Sequence, residues 1–429
     1  MTHRLRHIAG VGSVLWGFGC ASTPISHPPP PDPDATPTHV HDVDGQWAPR
    51  ADQPLVILMS VDGVRADYLD RYDTPAFDRV IQAGVHASGL IPVFPSKTFP
   101  NHYTQVTGLY PENHGIVGNT FYDPATNSVF SMESTESHWW GGEPIWVSAE
   151  QQGEPAATCF WVGSEAEIDG VRPSWWLPYD GSLSDTARID QVLAWIDQPT
   201  RPSLITVYFS QVDNAGHSDG PDASSIEAAV HEVDAALQRL LDGLQTRNLL
   251  DEADVVIVSD HGMSQQSPER LIFLDDYINI NAPDTYILSW GSMLPLDVPD
   301  AEVPATLAAL AGVPHLACTA REDTPEHWHY RDSDRISSIV CAADDGWSIT
   351  SREWYATHPN DYNGGTHGYD PSLESMHGIF LAQGPHFATK TRVDAFSAVE
   401  IYNLLAHALS IKPAPNDGNL QHVAAVVAE

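Results

Sequence analysis

Leu55-Val-Ile-Leu-Met-Ser-Val-Asp-Gly63 is an apolar run of strand length that stops at an acid and a glycine. Apolar residues at both odd and even positions mean that both faces are covered, as in an interior strand of a parallel sheet. Leu204-Ile-Thr-Val-Tyr-Phe209 and Val255-Val-Ile-Val258 repeat the pattern, and each is followed within a few residues by an acid, Asp213 or Asp260. Between them, Ser184 to Asp197 reads as an amphipathic helix. Ile226, Val230, Val233, Leu237, Leu240, Leu241 and Leu244 recur at helical spacing in a second. Strands alternating with helices predict an α/β fold with a central, largely parallel sheet flanked by helices. In such sheets ligands bind beyond the carboxyl ends of the strands, so Asp62, Asp213 and Asp260 are expected to converge there.

Outward from that frame, Thr74-Pro75 opens a helix through Ile81 that stops at Gly84, and a strand-like stretch follows at Gly89-Leu-Ile-Pro92. Strand, helix and strand suggest a βαβ unit. Residues 264 to about 360 carry short strand-like runs and read as a smaller irregular insert. The core pattern returns at Gly378-Ile-Phe-Leu-Ala382, and a helix is expected from about Ala395 to Leu409.

The balance of 57 acidic to 20 basic residues, net −37 over 429 residues, argues against nucleic-acid binding, because phosphate contacts need Lys and Arg. It leaves room for a small phosphate ester held by metal ions, whose local charge outweighs a distant acidic surface.

Residues 1–20 read as an export signal: Arg4 and Arg6, an apolar run from Ile8 to Phe18, then Gly19-Cys20. The run falls short of the ~20 residues that a membrane span needs. Its end resembles a bacterial lipoprotein signal, with Cys20 lipidated, although Gly17 stands where such signals usually carry Leu. Residues 21–54, with prolines at 28 to 31, read as an extended tether, and 55–429 as the folded domain. The expectation is a periplasmic protein that meets the membrane only through a lipid on Cys20. Export permits disulfides; of Cys159, Cys318 and Cys341, the last two are the nearer pair.

Pro95-Ser-Lys-Thr-Phe-Pro-Asn101 supplies a candidate nucleophile in Thr98. A threonine hydroxyl needs a base, a lowered pKa or a metal to attack at neutral pH. Pro100 suits the first turn of a helix, which would put Thr98 at a helix N-terminus where free N–H groups favour an anion. The plainer alternative is a helix N-cap. Asp62, Asp213, His217, Asp260, His261 and His367 provide carboxylates and imidazoles of the kind that bind zinc, and paired metals suit in-line displacement at phosphorus. Singly, each also reads as a turn or a helix face.

Seven runs in order sharpen this reading: Ser60-Val-Asp-Gly-Val-Arg65, Pro95-Ser-Lys-Thr-Phe-Pro-Asn-His-Tyr103, Gly108-Leu-Tyr-Pro-Glu-Asn-His-Gly115, Gly118-Asn-Thr-Phe-Tyr-Asp123, Asp213-Asn-Ala-Gly-His217, Ser259-Asp-His-Gly-Met263 and Thr366-His-Gly-Tyr-Asp370. With them, residues 55 to about 388 resemble the nucleotide pyrophosphatase/phosphodiesterase branch of the alkaline phosphatase superfamily. The resemblance implies an alkaline-phosphatase-like fold and two zinc ions, one held by Asp213, His217 and His367, the other by Asp62, Thr98, Asp260 and His261. It implies that Thr98 attacks phosphorus to form a phosphoryl-threonine ester, with Asn119 holding a phosphoryl oxygen. It also implies that Phe99 and Tyr208 sandwich a nucleotide base, although both rings could simply fill the core. His377 lacks the His-Gly-Tyr-Asp context and is expected outside the site. Pro371 departs from the family, which commonly has Asn there.

The substrate implied is a small nucleotide diester or pyrophosphate, cut to release a nucleoside 5′-monophosphate. The competing readings are a lipid-headgroup phosphodiesterase or phosphomonoesterase of the same superfamily and a non-catalytic metal-binding lipoprotein. An intact Thr98 speaks against the last, because a structural zinc site is closed by side chains and needs no hydroxyl.

Overall fold

The computed structural model describes Arg50 and residues 52–428. The expected signal with its Cys20, and residues 21–49 of the expected tether, lie outside them. At the end of that stretch the chain is already held. Gln53 is buried and its Nε2 donates to the Arg201 carbonyl (2.6 Å) and Ser203 Oγ (3.0 Å), while Arg50 pairs with Glu154.

In chain order the strands that matter are β1 (Val56–Val61), β2 (Val85–Ala87), β3 (Ala156–Cys159), β4 (Trp175–Leu177), β5 (Leu204–Phe209) and β6 (Asp254–Val258). There follow β7 (Tyr286–Ile287), β8 (Met293–Asp297), β9 (Leu316–Ala320), β10 (Ile339–Ala343), β11 (Phe380–Gln383) and β12 (Thr391–Val393). The main sheet runs β12-β2-β11-β6-β1-β5-β3-β4. Seven of its strands share one direction; β11 runs against its neighbours β6 and β2. The sheet is therefore mixed, with an unbroken parallel run β6-β1-β5-β3-β4.

β1 lies between β5 and β6, and all three are fully buried apart from half-buried Tyr208. Their side chains alternate between two apolar layers. Ile57, Met59, Val61, Ile205, Val207 and Ile257 pack against α1 (Pro75–Ala83), α3 (Asp185–Ile196) and α5 (Ser224–Thr246). Val56, Leu58, Leu204, Val256 and Val258 pack on the other side with α2 (Thr98–Thr107) and α6 (Ile401–Ala408). Each buried Leu, Ile or Val contributes roughly 1.5–3 kcal/mol. Thr74 makes no side-chain cap for α1; Asp234 of α5 accepts from the N–H groups of Ala76 (2.9 Å) and Phe77 (3.1 Å) instead, tying the two helices together.

Three expectations need correction. The main-sheet strand after α1 is β2, because Leu90–Ile91 pairs instead with Phe396–Ser397. That pairing also extends the backbone where a helix from Ala395 was expected, so α6 begins only at Ile401. The fold therefore does not close on a simple βα pair, since β12 intervenes. Within residues 264 to 360, β7, β8, β10 and β9 form an antiparallel sheet with its own apolar cluster, including Leu294, Leu296 and Ile339. Cys318 and Cys341, opposite each other on β9 and β10, form a disulfide; Cys159 is free and buried.

Candidate metal centre

Register brings the acids together. Val61 pairs with Phe209, and Ser60 with Val258, so β1, β5 and β6 end nearly flush. Asp62 N donates to the Phe209 carbonyl (2.8 Å), and Asp213 N donates to the Asp62 carbonyl (3.1 Å). Gly63, at φ +70°, makes this approach possible: a Cβ there would stand 2.8 Å from Asp213 Cα. Its N–H donates to Asp260 Oδ1 at 3.2 Å.

Asp213 and His217 share one face of α4 (Gln211–Asp219), four residues apart, with His217 Nε2 3.4 Å from Asp213 Oδ1. Ser264–Gln265 pairs with Gly365–Thr366, which delivers His367 over the strand ends. There its ring stacks on that of His261, centroids 3.5 Å apart, and its Nε2 lies 3.7 Å from Asp213 Oδ1. His261 Nε2 is 2.9 Å from Asp260 Oδ2 and 3.5 Å from Asp62 Oδ1. Thr98, first residue of α2, sets its Oγ1 3.4 Å from the same nitrogen. The structure thus brings Asp62, Thr98, Asp213, His217, Asp260, His261 and His367 into one cluster.

These residues fit divalent cations. Asp62 Oδ1, Asp213 Oδ1 and Asp260 Oδ2 are buried with no hydrogen-bond donor, a costly state for carboxylate oxygens. All three imidazoles have Nδ1 on a backbone carbonyl: His217 on Gly365 (3.0 Å), His367 on Ser96 (2.8 Å) and His261 on Gly262 (2.9 Å). Donation from Nδ1 leaves each neutral ring with an Nε2 lone pair turned inward, the tautomer a metal ligand needs. By distance the ligand atoms fall into two groups, Asp213 with His261 and His367, and Asp62 with Asp260 and His261. His261 lies within reach of both, whereas the resemblance gives the first site His217.

Charge crowding points the same way. Burial, then the Asp260 and Asp213 carboxylates, push Asp62 well above the usual carboxylate range. Burial, followed by His261 and His217, pushes His367 well below the usual imidazole value. A multivalent cation relieves this repulsion.

Around the cluster, Asn119 Oδ1 accepts from the Phe99 N–H (3.0 Å), which ties Asn119 to the first turn of α2. Phe99 is half-buried, its ring edge-on to Phe130 (5.9 Å) and tilted against Trp140 (6.5 Å). Tyr208 reaches the site through its hydroxyl, which donates to Asp62 Oδ2 at 2.7 Å. His377 binds the Pro371 carbonyl through Nε2 (3.1 Å) and joins neither group.

Sequence reasoning passed over three neighbours. Buried His102 bridges Ser60 Oγ (2.8 Å) and the Thr98 carbonyl (2.9 Å), 3.4 Å from Asp260 Oδ2; its place in the second matching run was the available signal. Lys97, whose ammonium burial disfavours, lines a cavity of about 60 Å³ with Asn119, Thr120 and Ser289. Tyr179 is 56% exposed, edge-on to Phe160 and 6.4 Å from the Tyr208 ring; nothing in its local sequence marked it. A larger surface groove, about 700 Å³ between α3 and α5, holds none of these residues.

The family model described as type I phosphodiesterase / nucleotide pyrophosphatase matches residues 56–370. A venom phosphodiesterase of Macrovipera lebetinus is 38% identical over 381 residues, covering 86% of this chain and 44% of its own. Ectonucleotide pyrophosphatase/phosphodiesterase family member 3 of Rattus norvegicus is 37% identical over 389 residues, covering 86% and 43%. The chain thus spans less than half the length of these curated relatives. Among solved structures, an inactive murine ectonucleotide pyrophosphatase/phosphodiesterase 5 in complex with AMP superposes with a TM-score of 0.83 at 34% identity, over 87% of this chain and 100% of that one.

Proposed function

We infer, for a chain that belongs to the type I phosphodiesterase/nucleotide pyrophosphatase family, that it hydrolyses nucleotide diester and pyrophosphate bonds and releases a nucleoside 5′-monophosphate. The observation that carries this reading is Thr98 Oγ1 at the edge of a cluster with three donorless carboxylate oxygens. AMP bound to a relative of the same fold supports a nucleotide substrate.

Asp213, His217 and His367 would hold one metal ion, and Asp62, Asp260, His261 and Thr98 the other; imidazole and carboxylate donors suit zinc. Bound there, two such ions supply Lewis acidity that favours the Thr98 alkoxide and balances charge on the departing oxygen. The Thr98 hydroxyl gives its proton to solvent, and Oγ1 attacks phosphorus opposite the leaving oxygen, which departs as the P–O bond breaks. A phosphoryl-Thr98 ester that still carries the nucleoside, a nucleotidyl-threonine, results. Water then attacks phosphorus from the vacated side, freeing the nucleotide and restoring the hydroxyl. Asn119 Nδ2 and the Thr98 N–H, at the start of α2, face the oxygen on which charge grows; one such donor contributes on the order of 3 kcal/mol.

For the base, Phe99 and Tyr179 are the rings we assign, since Tyr179 is 56% exposed whereas Tyr208 is half-buried and packed against His102. Residues 1–20 are read as a lipoprotein export signal that places the enzyme in the periplasm, anchored through Cys20. A panel of a thymidine 5′-monophosphate nitrophenyl ester, nitrophenyl phosphocholine and nitrophenyl phosphate tests the activity. The highest kcat/KM is expected on the first. Preference for the second or third would replace this reading with a lipid-headgroup phosphodiesterase or a monoesterase.

A further inference from the structure

We infer that Tyr208 is a positioning residue for Asp62: it holds one carboxylate oxygen so that the other stays aimed at a divalent cation. The inference rests on the metal reading above.

Ser60 and Tyr208 are paired across β1 and β5, and side chains of paired residues in parallel strands share a face. Asp62 lies two residues beyond Ser60, on that same face. From there the phenol spans the gap to Asp62 Oδ2 at 2.7 Å, while Oδ1 is left without a donor, 3.5 Å from His261 Nε2. Asp260 repeats the arrangement: Oδ1 accepts the Gly63 N–H and Oδ2 has no donor. In both acids one oxygen is fixed by the protein and the other is offered. The tyrosine ring is itself held, edge-on to His102 with centroids 5.2 Å apart.

Asp62 is 1% exposed, so water does not replace a missing donor freely. Without the hydroxyl, Oδ2 would be a second buried acceptor without a partner, and the carboxylate could turn about its Cβ–Cγ bond. Partners of this kind fix ligand orientation, and losing one typically costs about 10- to 100-fold in metal affinity. A ring that gripped a base would act differently, through its π-face and without need of the hydroxyl.

Tyr208→Phe keeps the ring and removes only the hydroxyl. Zinc affinity of the full chain, read by competition with a chromophoric chelator, is expected to fall about 10- to 100-fold for one ion and stay unchanged for the other. Turnover at fixed zinc should fall equally on a nucleotide diester and a base-free diester, with nucleotide KM unchanged. Adding Tyr208→Phe to Asp62→Asn should cost no further zinc affinity, since the tyrosine acts through that carboxylate. Wild-type zinc affinities in the single variant would overturn the inference, and so would a rise in nucleotide KM alone. If Tyr208→Phe fails to fold, Tyr208→His, which keeps a ring donor, must fold and bind zinc better than Tyr208→Leu, or the inference falls. A wild-type chain that takes up no zinc would overturn the metal reading itself, an outcome distinct from an unaltered variant of a zinc-loaded protein.

Discussion

The Nε2 atoms of His217 and His367 lie 3.1 Å apart, although both rings have Nδ1 on a backbone carbonyl. Two neutral imidazoles so tethered point lone pairs at each other, and no proton on either Nε2 is available to join them. Asp213 Oδ1, within 3.7 Å of both, adds negative charge and has no donor. A cation ligated by the three satisfies every one of these atoms, and the same reasoning applies to Asp62, Asp260 and His261.

Elemental analysis of the purified chain is therefore expected to find two zinc ions per molecule, and prolonged chelation to abolish hydrolysis, with recovery on adding zinc. His217→Ala should weaken the ion near Asp213 far more than the other. Full hydrolysis by protein verified to be metal-free would defeat the proposal.

Thr98→Ala should remove turnover while leaving the far-ultraviolet circular dichroism unchanged, because α2 retains Lys97 as its N-cap and Pro100 in its first turn. Thr98→Ser should keep part of the rate. Acid quenching during turnover of a nucleotide diester should trap a nucleotidyl group on the peptide containing Thr98. Wild-type rates in Thr98→Ala would exclude the covalent route.

How far the sequence foretold this depends on what kind of information each feature needs. β1, β5 and β6 were legible because burial on both faces leaves continuous apolar runs, and α3 and α5 because one buried stripe imposes helical period. The strand-end acids followed from the rule that parallel sheets bind ligands at their carboxyl ends. Strand direction was not legible: nothing local distinguishes β11, the reversed strand, from its parallel neighbours. The sheet of β7 to β10 escaped because its strands are short and one contains Pro295. The Tyr208 hydroxyl bond depends on the register of β1 with β5, a long-range fact that an aromatic residue in a strand does not announce.

Asn119 holds the Phe99 N–H and is proposed to bind a phosphoryl oxygen, and one pair of variants separates the two roles. Asn119→Ala removes the Nδ2 donor and also the acceptor for the Phe99 N–H. Asn119→Asp keeps that acceptor but loses the donor and adds negative charge near the phosphoryl group. Both should lower kcat, by about 10²- to 10³-fold for the alanine variant, judged from other oxyanion donors. A full rate in Asn119→Asp would show that its role is only to hold Phe99.

Membrane attachment is expected to depend on Cys20 and catalysis not to. In Cys20→Ser the protein should move from the membrane to the soluble fraction of the envelope with unchanged kcat/KM. Mass spectrometry of the mature N-terminus checks this directly: a first residue other than lipidated Cys20 would rule the anchor out.

Substrate class turns on which rings remain open to a base. Phe99 follows Thr98 and has its N–H fixed by Asn119, so its position relative to Thr98 is set. Tyr179 is more than half exposed, and its contact with Phe160 is edge-on, which leaves ring surface to solvent. Stacking contributes roughly 1–3 kcal/mol per base and is blind to base identity, because every base has a π-face. Phe99→Ala and Tyr179→Ala should therefore each reduce kcat/KM for nucleotide diesters by about tenfold or more, with little change between adenine and other bases. A diester without a base should be affected much less by Tyr179→Ala. Phe99 also packs against Phe130 and Trp140, so its variant needs a parallel thermal melt to separate grip from support. Equal losses on both substrates in Tyr179→Ala would mean that the ring holds the loop around Phe160 and does not meet the substrate.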